Sequence, residues 1–233
     1  MKRPIIAIDG PAAAGKSTVA KKVAEKLGYI YIDTGAMYRA VAWKALKENV
    51  PITDHARITA LANRMDIRFE KTNGEQRVIV DGEDVTEEIR TPEASRLSSA
   101  VSAIKGVRKR LAELQRKIGE TGGVVMEGRD IGTVIFPNAE VKVFLTASAE
   151  ERARRRAGQL REIGIDADVA EVAREISERD LRDSSRSEAP LKQAPDAVLI
   201  ETDSLSIDEV VEKIIALHNE RLASQTADPG STT

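Results

Sequence analysis

The sequence predicts an α/β protein: a parallel sheet with crossover helices, broken once by a small antiparallel lobe. Three observations carry that expectation. Apolar runs of strand length alternate with stretches whose apolar residues fall at helical spacing. The first run ends in a glycine-rich turn that opens directly into a helical pattern. Between about Asp66 and Ile89 the rhythm gives way to alternating residues and glycine turns.

Ile5 to Ile8 is a continuous apolar run ending in Asp9-Gly10, the pattern of a strand buried on both faces. Val19, Ala20, Val23, Ala24 and Leu27 then mark a helix, and Gly28 is placed to stop it. Tyr29 to Ile32 reads as a second strand, and Met37 through Leu46 as a helix that ends before Pro51. In the lobe, Ile67, Phe69, Val78 and Val80 alternate around turns at Thr72-Asn73-Gly74 and Asp81-Gly82. Two helices are expected from Pro92 to Ile118, separated near Gly106. Val124 to Met126, Val141 to Leu145 and Ala197 to Ile200 complete a set of five core strands. Helices around Ser148–Leu160 and Ser206–Leu222 follow the last two, and the final ten residues lack any apolar period and read as a frayed tail.

Composition narrows the function. Of 233 residues, 36 are Lys or Arg and 38 Asp or Glu, so the formal charge is −2. Without a basic surplus, a sequence-blind nucleic-acid coat is a poor fit. A hydrophobic share of 41% beside 32% charged residues fits a globular chain. The absence of cysteine excludes disulfides, thiolate metal sites and a cysteine nucleophile. No apolar run approaches the ~20 residues of a membrane span. Asp9 interrupts the N-terminal apolar run too early for a signal peptide, so a cytoplasmic location is expected.

Gly10-Pro11-Ala12-Ala13-Ala14-Gly15-Lys16-Ser17 fits G-x-x-x-x-G-K-[ST], with a strand before it and a helix after it. Such a loop curls its amides inward around phosphate oxygens, and the helix adds the positive end of its dipole. Lys16 would reach the β- and γ-phosphates, Ser17 would offer its hydroxyl to magnesium, and Thr18 closes the donor-binding stretch. Lys16 is expected to be solvated and to support no core.

The loop alone says only nucleoside triphosphate. A GTPase would carry Asn-Lys-x-Asp, and the nearest string, Asn63-Arg64-Met65-Asp66, sits at the end of a helical pattern. A motor ATPase would carry a strand ending in Asp-Glu, which is absent. A kinase needs instead an arginine-lined acceptor pocket and a cationic lid. Asp33-Thr34-Gly35-Ala36-Met37-Tyr38-Arg39 and Gly128-Arg129-Asp130-Ile131-Gly132-Thr133 both follow strands, at the edge where open α/β sheets bind ligands. Glu178-Arg179-Asp180-Leu181-Arg182-Asp183-Ser184-Ser185-Arg186 alternates charges densely.

With those strings and the phosphate loop, the sequence closely resembles the bacterial cytidylate kinase family from about Pro4 to Leu222. The resemblance implies a P-loop kinase fold with a central parallel five-stranded sheet, helices on both faces, an antiparallel β insertion in the nucleoside-monophosphate region and a helical lid. It implies one kinase domain over 1–223, with core segments 1–63, 107–150 and 190–223, an insertion at about 64–106, a lid at about 150–189 and a disordered tail at 224–233. The implied reaction passes phosphate from ATP, with magnesium, to CMP or dCMP.

The resemblance also implies roles. Gly10 to Thr18 would hold ATP, and Ser17 the metal. Asp130 and Thr34 would face the cytosine amino group and Arg108 its accepting edge; a donor beside two acceptors calls for a carboxylate or hydroxyl next to an arginine. Ser99 would lie near the nucleotide, with Arg179 and Asp183 near the ribose. Arg39, Arg129 and Arg186 would clamp the acceptor phosphate, since planar guanidinium groups donate paired hydrogen bonds. Lys16, Arg129 and Arg186, with Arg154, Arg155 and Arg156 of the lid, would neutralise the transferring phosphoryl group.

Spacing by itself is weaker: Arg179 and Asp183 share a helix face, but exposed pairs of that kind are worth under ~1 kcal/mol. The run Arg152, Arg154, Arg155, Arg156 and Arg161 does not form one stripe, and Glu150 and Glu151 neutralise part of it. Glu127 could touch magnesium through water or orient an arginine. Trp43 reads as core, and His55 and His218 as ordinary surface positions. A monomer acting on small molecules is expected, without nucleic acid or membrane. The alternatives are a kinase for another acceptor, such as a different monophosphate or shikimate, and a nucleotide-dependent switch or RNA-binding module using the Arg152–Arg161 run.

Overall fold

The computed structural model describes residues 3–72 and 75–227. A five-stranded parallel sheet runs in the order β2 (Ile30–Asp33), β6 (Gly122–Gly128), β1 (Arg3–Asp9), β7 (Val141–Thr146), β8 (Val198–Glu201). Central β1 pairs with β6 on one side, Ile6 opposite Val125, and with β7 on the other, Ile8 opposite Val143. Ile5 to Ile8 are buried on both faces, as a continuous apolar run requires of a central strand. Helix α1 (Lys16–Leu27) packs Val19, Ala20 and Val23 onto Ile6, Ile8 and Val143, together with Val210, Val211 and Ile214 of α8 (Ile207–Ala227). Gly28, at φ 63°, ends α1 in the left-handed conformation that only glycine adopts cheaply.

The chain separates into two compact units, one built from the chain before Ile32 and after Glu120, the other from Ile32–Glu120. The second unit holds α2 (Thr34–Lys47), α3 (His55–Arg64), a three-stranded antiparallel sheet of β3 (Ile67–Thr72), β4 (Glu75–Val80) and β5 (Glu83–Asp84), then α4 (Pro92–Val101) and α5 (Lys105–Gly119). Met37, Val41, Ile58, Leu61, Ile67, Val80, Val107 and Leu111 form its core. The β insertion expected at about 64–106 lies inside this unit. Its first expected turn includes Asn73 and Gly74, which lie outside the described residues.

Three expectations need correcting. The break between α4 and α5 falls at Ser102–Ile104, and Gly106 sits inside α5. Glycine is there for packing: a Cβ would lie 2.3 Å from Cγ2 of Thr59 on α3. His218 is not a surface residue but buried, its Nε2 2.8 Å from the Tyr29 hydroxyl and its ring edge-on to the tyrosine. Finally, α8 continues through Ala227, so residues 224–227 of the expected tail are helical, with Ser224 Oγ donating to the Glu220 carbonyl. The rest of that tail, 228–233, lies outside the described residues. Trp43 packs against the second unit's core, as expected, with Lys47 Nζ 4.6 Å from its ring centre.

Candidate active site

The loop Gly10–Gly15 joins β1 to α1 at the carboxyl end of the sheet. At Gly10 a Cβ would stand 2.0 Å from the Leu145 carbonyl oxygen, so β7 leaves no room for a side chain. Gly15, at φ 87°, and Ala13, at φ 60°, both lie in the left-handed region, where alanine costs roughly 1–2 kcal/mol. Lys16 is not solvated as expected: it is buried and its Nζ donates to the Pro11 carbonyl at 2.6 Å. Burial, with the Arg129 guanidinium nearby, draws its ammonium down to about 7; Arg179 adds to the effect, and the Glu127 and Asp9 carboxylates oppose it. Ser17 and Thr18 are exposed at the start of α1.

Two buried carboxylates flank the loop. Asp9 accepts the Ile131 amide at 2.8 Å and the Gly132 amide at 2.7 Å, pinning the π-helical turn Ile131–Ile135 that follows β6. Burial pushes Asp9 up to about 6 in spite of those amides, with the Asp130 charge adding to the shift. Glu127, in β6, accepts the Tyr31 hydroxyl at 2.6 Å. Among the described residues no group of three or more acidic or histidine side chains could hold a metal by itself.

Helix α7 (Val169–Ser184) adds a further carboxylate in the first unit. Asp183 is buried; its Oδ2 meets Arg129 Nε at 2.9 Å and its Oδ1 pairs with Arg186. Residues from the end of β6, from α7 and from the segment after it thus converge on one carboxylate. Asp130 is buried beside Arg129.

The second unit carries its own group of expected residues. Asp33 caps α2 by accepting the Ala36 amide at 3.1 Å and holds Arg39 at 2.7 Å, so its carboxyl sits below the usual range although burial opposes this. Thr34 is buried in the first turn of α2. On α5, Arg108 is buried, lies 5.8 Å from the Tyr38 ring centre and donates to the Ser102 carbonyl at 3.3 Å. Ser99 Oγ, on α4, is buried without a hydrogen-bond partner among the described residues.

A phosphate loop with a buried lysine, and an arginine–carboxylate cluster in the same unit, fit a protein that handles nucleotide phosphates; sequence relatives decide which. The family model described as cytidylate kinase matches residues 6–220. The chain belongs to the cytidylate kinase family. It is 52% identical over 217 residues to a cytidylate kinase of Caldicellulosiruptor bescii, covering 93% of this chain and 96% of that one. It is 54% identical over 214 residues to a cytidylate kinase of Bacillus subtilis, covering 92% and 96%. In fold it is similar to an uncharacterized protein from Eubacterium ventriosum, with a TM-score of 0.53 at 14% identity over 93% of this chain and 99% of that one.

The kinase's arginine-rich helix α6 (Ala149–Glu162) does not present its cations as one group. Arg154 is exposed and bidentate to Glu151, both contacts at 2.8 Å. Arg155 shares that carboxylate at 2.7 Å, reaches Thr202, and brings Nη1 to 4.0 Å from where a Cβ on Gly15 would lie. Arg156 makes a long contact, 3.5 Å, to Gln159, and Arg161 donates to the Ala167 carbonyl at 2.9 Å. His55 is exposed at the start of α3, as expected.

Sequence reasoning gave Asp9 and Asp180 no role in this region and placed Arg152 only within the arginine run of the lid. Arg152 is buried, and donates to the Ala147 and Ala12 carbonyls, each at 3.1 Å. It also pairs with Asp180, whose Oδ1 accepts the Ala12 amide at 3.1 Å. The available signals were slight: an acid directly before the first loop glycine, and an acid beside Arg179.

Proposed function

We propose that this kinase transfers the γ-phosphoryl group of ATP to CMP and dCMP. The observation that carries the mechanism is Lys16 buried at the phosphate loop, its hold on its proton weakened first by burial and then by the charges of Arg129 and Arg179. Such a concentration of positive charge is unfavourable in the free protein and favourable around phosphates.

An oxygen of the acceptor phosphate attacks the γ-phosphorus in line with the bond to the bridging oxygen; that bond breaks and ADP leaves. A phosphate monoester oxygen is already an adequate nucleophile, so positioning and charge neutralisation suffice. Gly10 to Thr18 wrap the donor, Lys16 reaches its terminal phosphates, and the Ser17 hydroxyl holds magnesium. Magnesium held there would supply charge neutralisation to the phosphates. Arg39, Arg129 and Arg186 take the acceptor phosphate, and Arg179 and Asp183 the ribose, with Ser99 near the nucleotide. Asp130 and Thr34 accept from the cytosine amino group while Arg108 donates to its other edge. Arg154, Arg155 and Arg156 bring charge to the transferring group when the lid closes. We expect a cytoplasmic monomer that uses free nucleotides.

A coupled assay with CMP, dCMP, UMP, AMP and GMP tests this reading. CMP and dCMP should be the best acceptors. UMP should fall behind by tenfold or more, since an unpaired buried polar group costs roughly 1–3 kcal/mol. Asp130→Asn should lower the CMP-to-UMP ratio by about tenfold, mainly through loss on CMP. Equal use of CMP and UMP by the native enzyme would overturn the proposal; an unchanged ratio in the variant would move base reading to Thr34 and Arg108.

A further inference from the structure

We infer that Arg152 and Asp180 form a clasp that couples occupancy of the phosphate loop to the acceptor-binding face of α7. This rests on the reading that the loop takes the donor and that Arg129, Asp183 and Arg186 serve the acceptor.

Both polar groups of one loop residue are held from outside the loop: the Ala12 amide by Asp180 and the Ala12 carbonyl by Arg152. Arg152 is itself anchored to the Ala147 carbonyl, just after β7, so the clasp refers the loop to the sheet as well as to α7. The apolar contacts follow the same lines, since Ala12 and Ala13 join Ala153 and Ala157 of α6 and Val172 and Ile176 of α7 in one cluster. The next residue, Ala13, is the one held left-handed.

Asp180 and Asp183 are three residues apart on α7 and therefore share a face of that helix. One carboxylate grips the donor loop and the other binds Arg129 and Arg186. A rotation or shift of α7 that re-forms the Asp183 cluster around an acceptor phosphate must move Asp180, and with it the Ala12 peptide. Donor phosphates that pull on the Ala12 peptide act on α7 by the same route in reverse, as linkage requires. In the proposed assignment Arg152 and Asp180 act on the protein rather than on either nucleotide. They are positioning residues, and their effect is a coupling between two sites.

The experiment measures the affinity of MgADP by titration calorimetry, without CMP and at saturating CMP. In the native enzyme the two affinities should differ by roughly fivefold or more. Asp180→Asn keeps the shape and an oxygen for the Ala12 amide but loses the charge that holds Arg152, so the ratio should fall below about twofold. Arg152→Lys, a point charge that cannot span three partners, should do the same. A pair that serves only stability would lower the melting temperature and leave the ratio unchanged; that result in either folded variant overturns the inference. In the native enzyme alone, CMP without donor should shift the Ala12 amide resonance, and an unmoved resonance, or a native ratio near one, overturns it as well. Failure of the native enzyme to bind MgADP at all would instead overturn the assignment of the loop.

Discussion

The phosphate loop and helix α6 both hold positive charge, and they hold it in opposite ways. Lys16 is buried, and burial with the nearby Arg129 charge weakens its hold on its proton. Arg154 leaves 73% of its side chain exposed and is satisfied by Glu151, one turn away on its own helix. A charge held by a local neighbour in water costs the fold almost nothing and constrains almost nothing. A charge buried against its like is a standing cost that a bound polyphosphate can remove. On the proposed mechanism, the contrast separates the charge that is prearranged from the charge that lid closure would bring in.

The strongest way to break that contrast is Lys16→Met. Phosphoryl transfer should fall roughly 10³-fold or more, with the fold intact. The sign on stability is the informative part. Since the folded value, about 7, lies below the ordinary 10.5, the unfolded chain binds more protons in between. The lysine's contribution is therefore present only at high pH and is lost as pH falls through 7. Near pH 6 the variant should resist urea better than the native chain, by on the order of 1 kcal/mol or more, the lost bond to Pro11 offsetting part of the gain. A variant weaker than native at that pH would mean that the buried ammonium is well satisfied.

Asp9 offers a second contrast within the loop region, because its folded value, about 6, lies above the ordinary 3.8. The native state then holds the extra proton between those values, so this group's stability is present below pH 4 and lost as pH rises to 6, by up to about 3 kcal/mol. Urea melts across that window should show a falling segment that Asp9→Asn removes. A segment that survives the substitution would assign the titration to another group.

Neutralising Arg154, Arg155 and Arg156 together with glutamine tests the other side of the comparison. Turnover should fall roughly 10- to 100-fold while KM for CMP stays within about twofold, since closure completes the site after binding. Melting should barely change. A rise in KM without loss of turnover would place these arginines with the acceptor.

Local features were legible from the sequence and long-range ones were not. The phosphate loop shows because its glycines, lysine and flanking elements lie within one short segment. β1 shows because a strand buried on both faces needs an unbroken apolar run. The clasp on Ala12 does not show, because its members lie 140 and 168 residues further along the chain. Nothing local marks Arg152 among the other arginines of α6. Gly106 looked like a helix break and is a contact with Thr59, since both uses call for the same small residue. His218 looked like a surface residue because its partner, Tyr29, belongs to the other end of the sequence. The sheet order interleaves β6 between β2 and β1, and no strand's own pattern encodes its neighbour.

Ala13 in its left-handed conformation has a consequence for the timing of nucleotide capture. A glycine there would relax the strain, but it would leave the empty loop sampling many shapes. With alanine, the loss of those shapes is incurred once, when the chain folds, and need not recur at each encounter with a nucleotide. A pre-shaped loop takes up phosphate without first ordering its own backbone, so that cost is not subtracted from affinity. For an enzyme that must release ADP on every cycle, a stiff receptor with a short residence time serves better than a pliable one that closes slowly and lets go late.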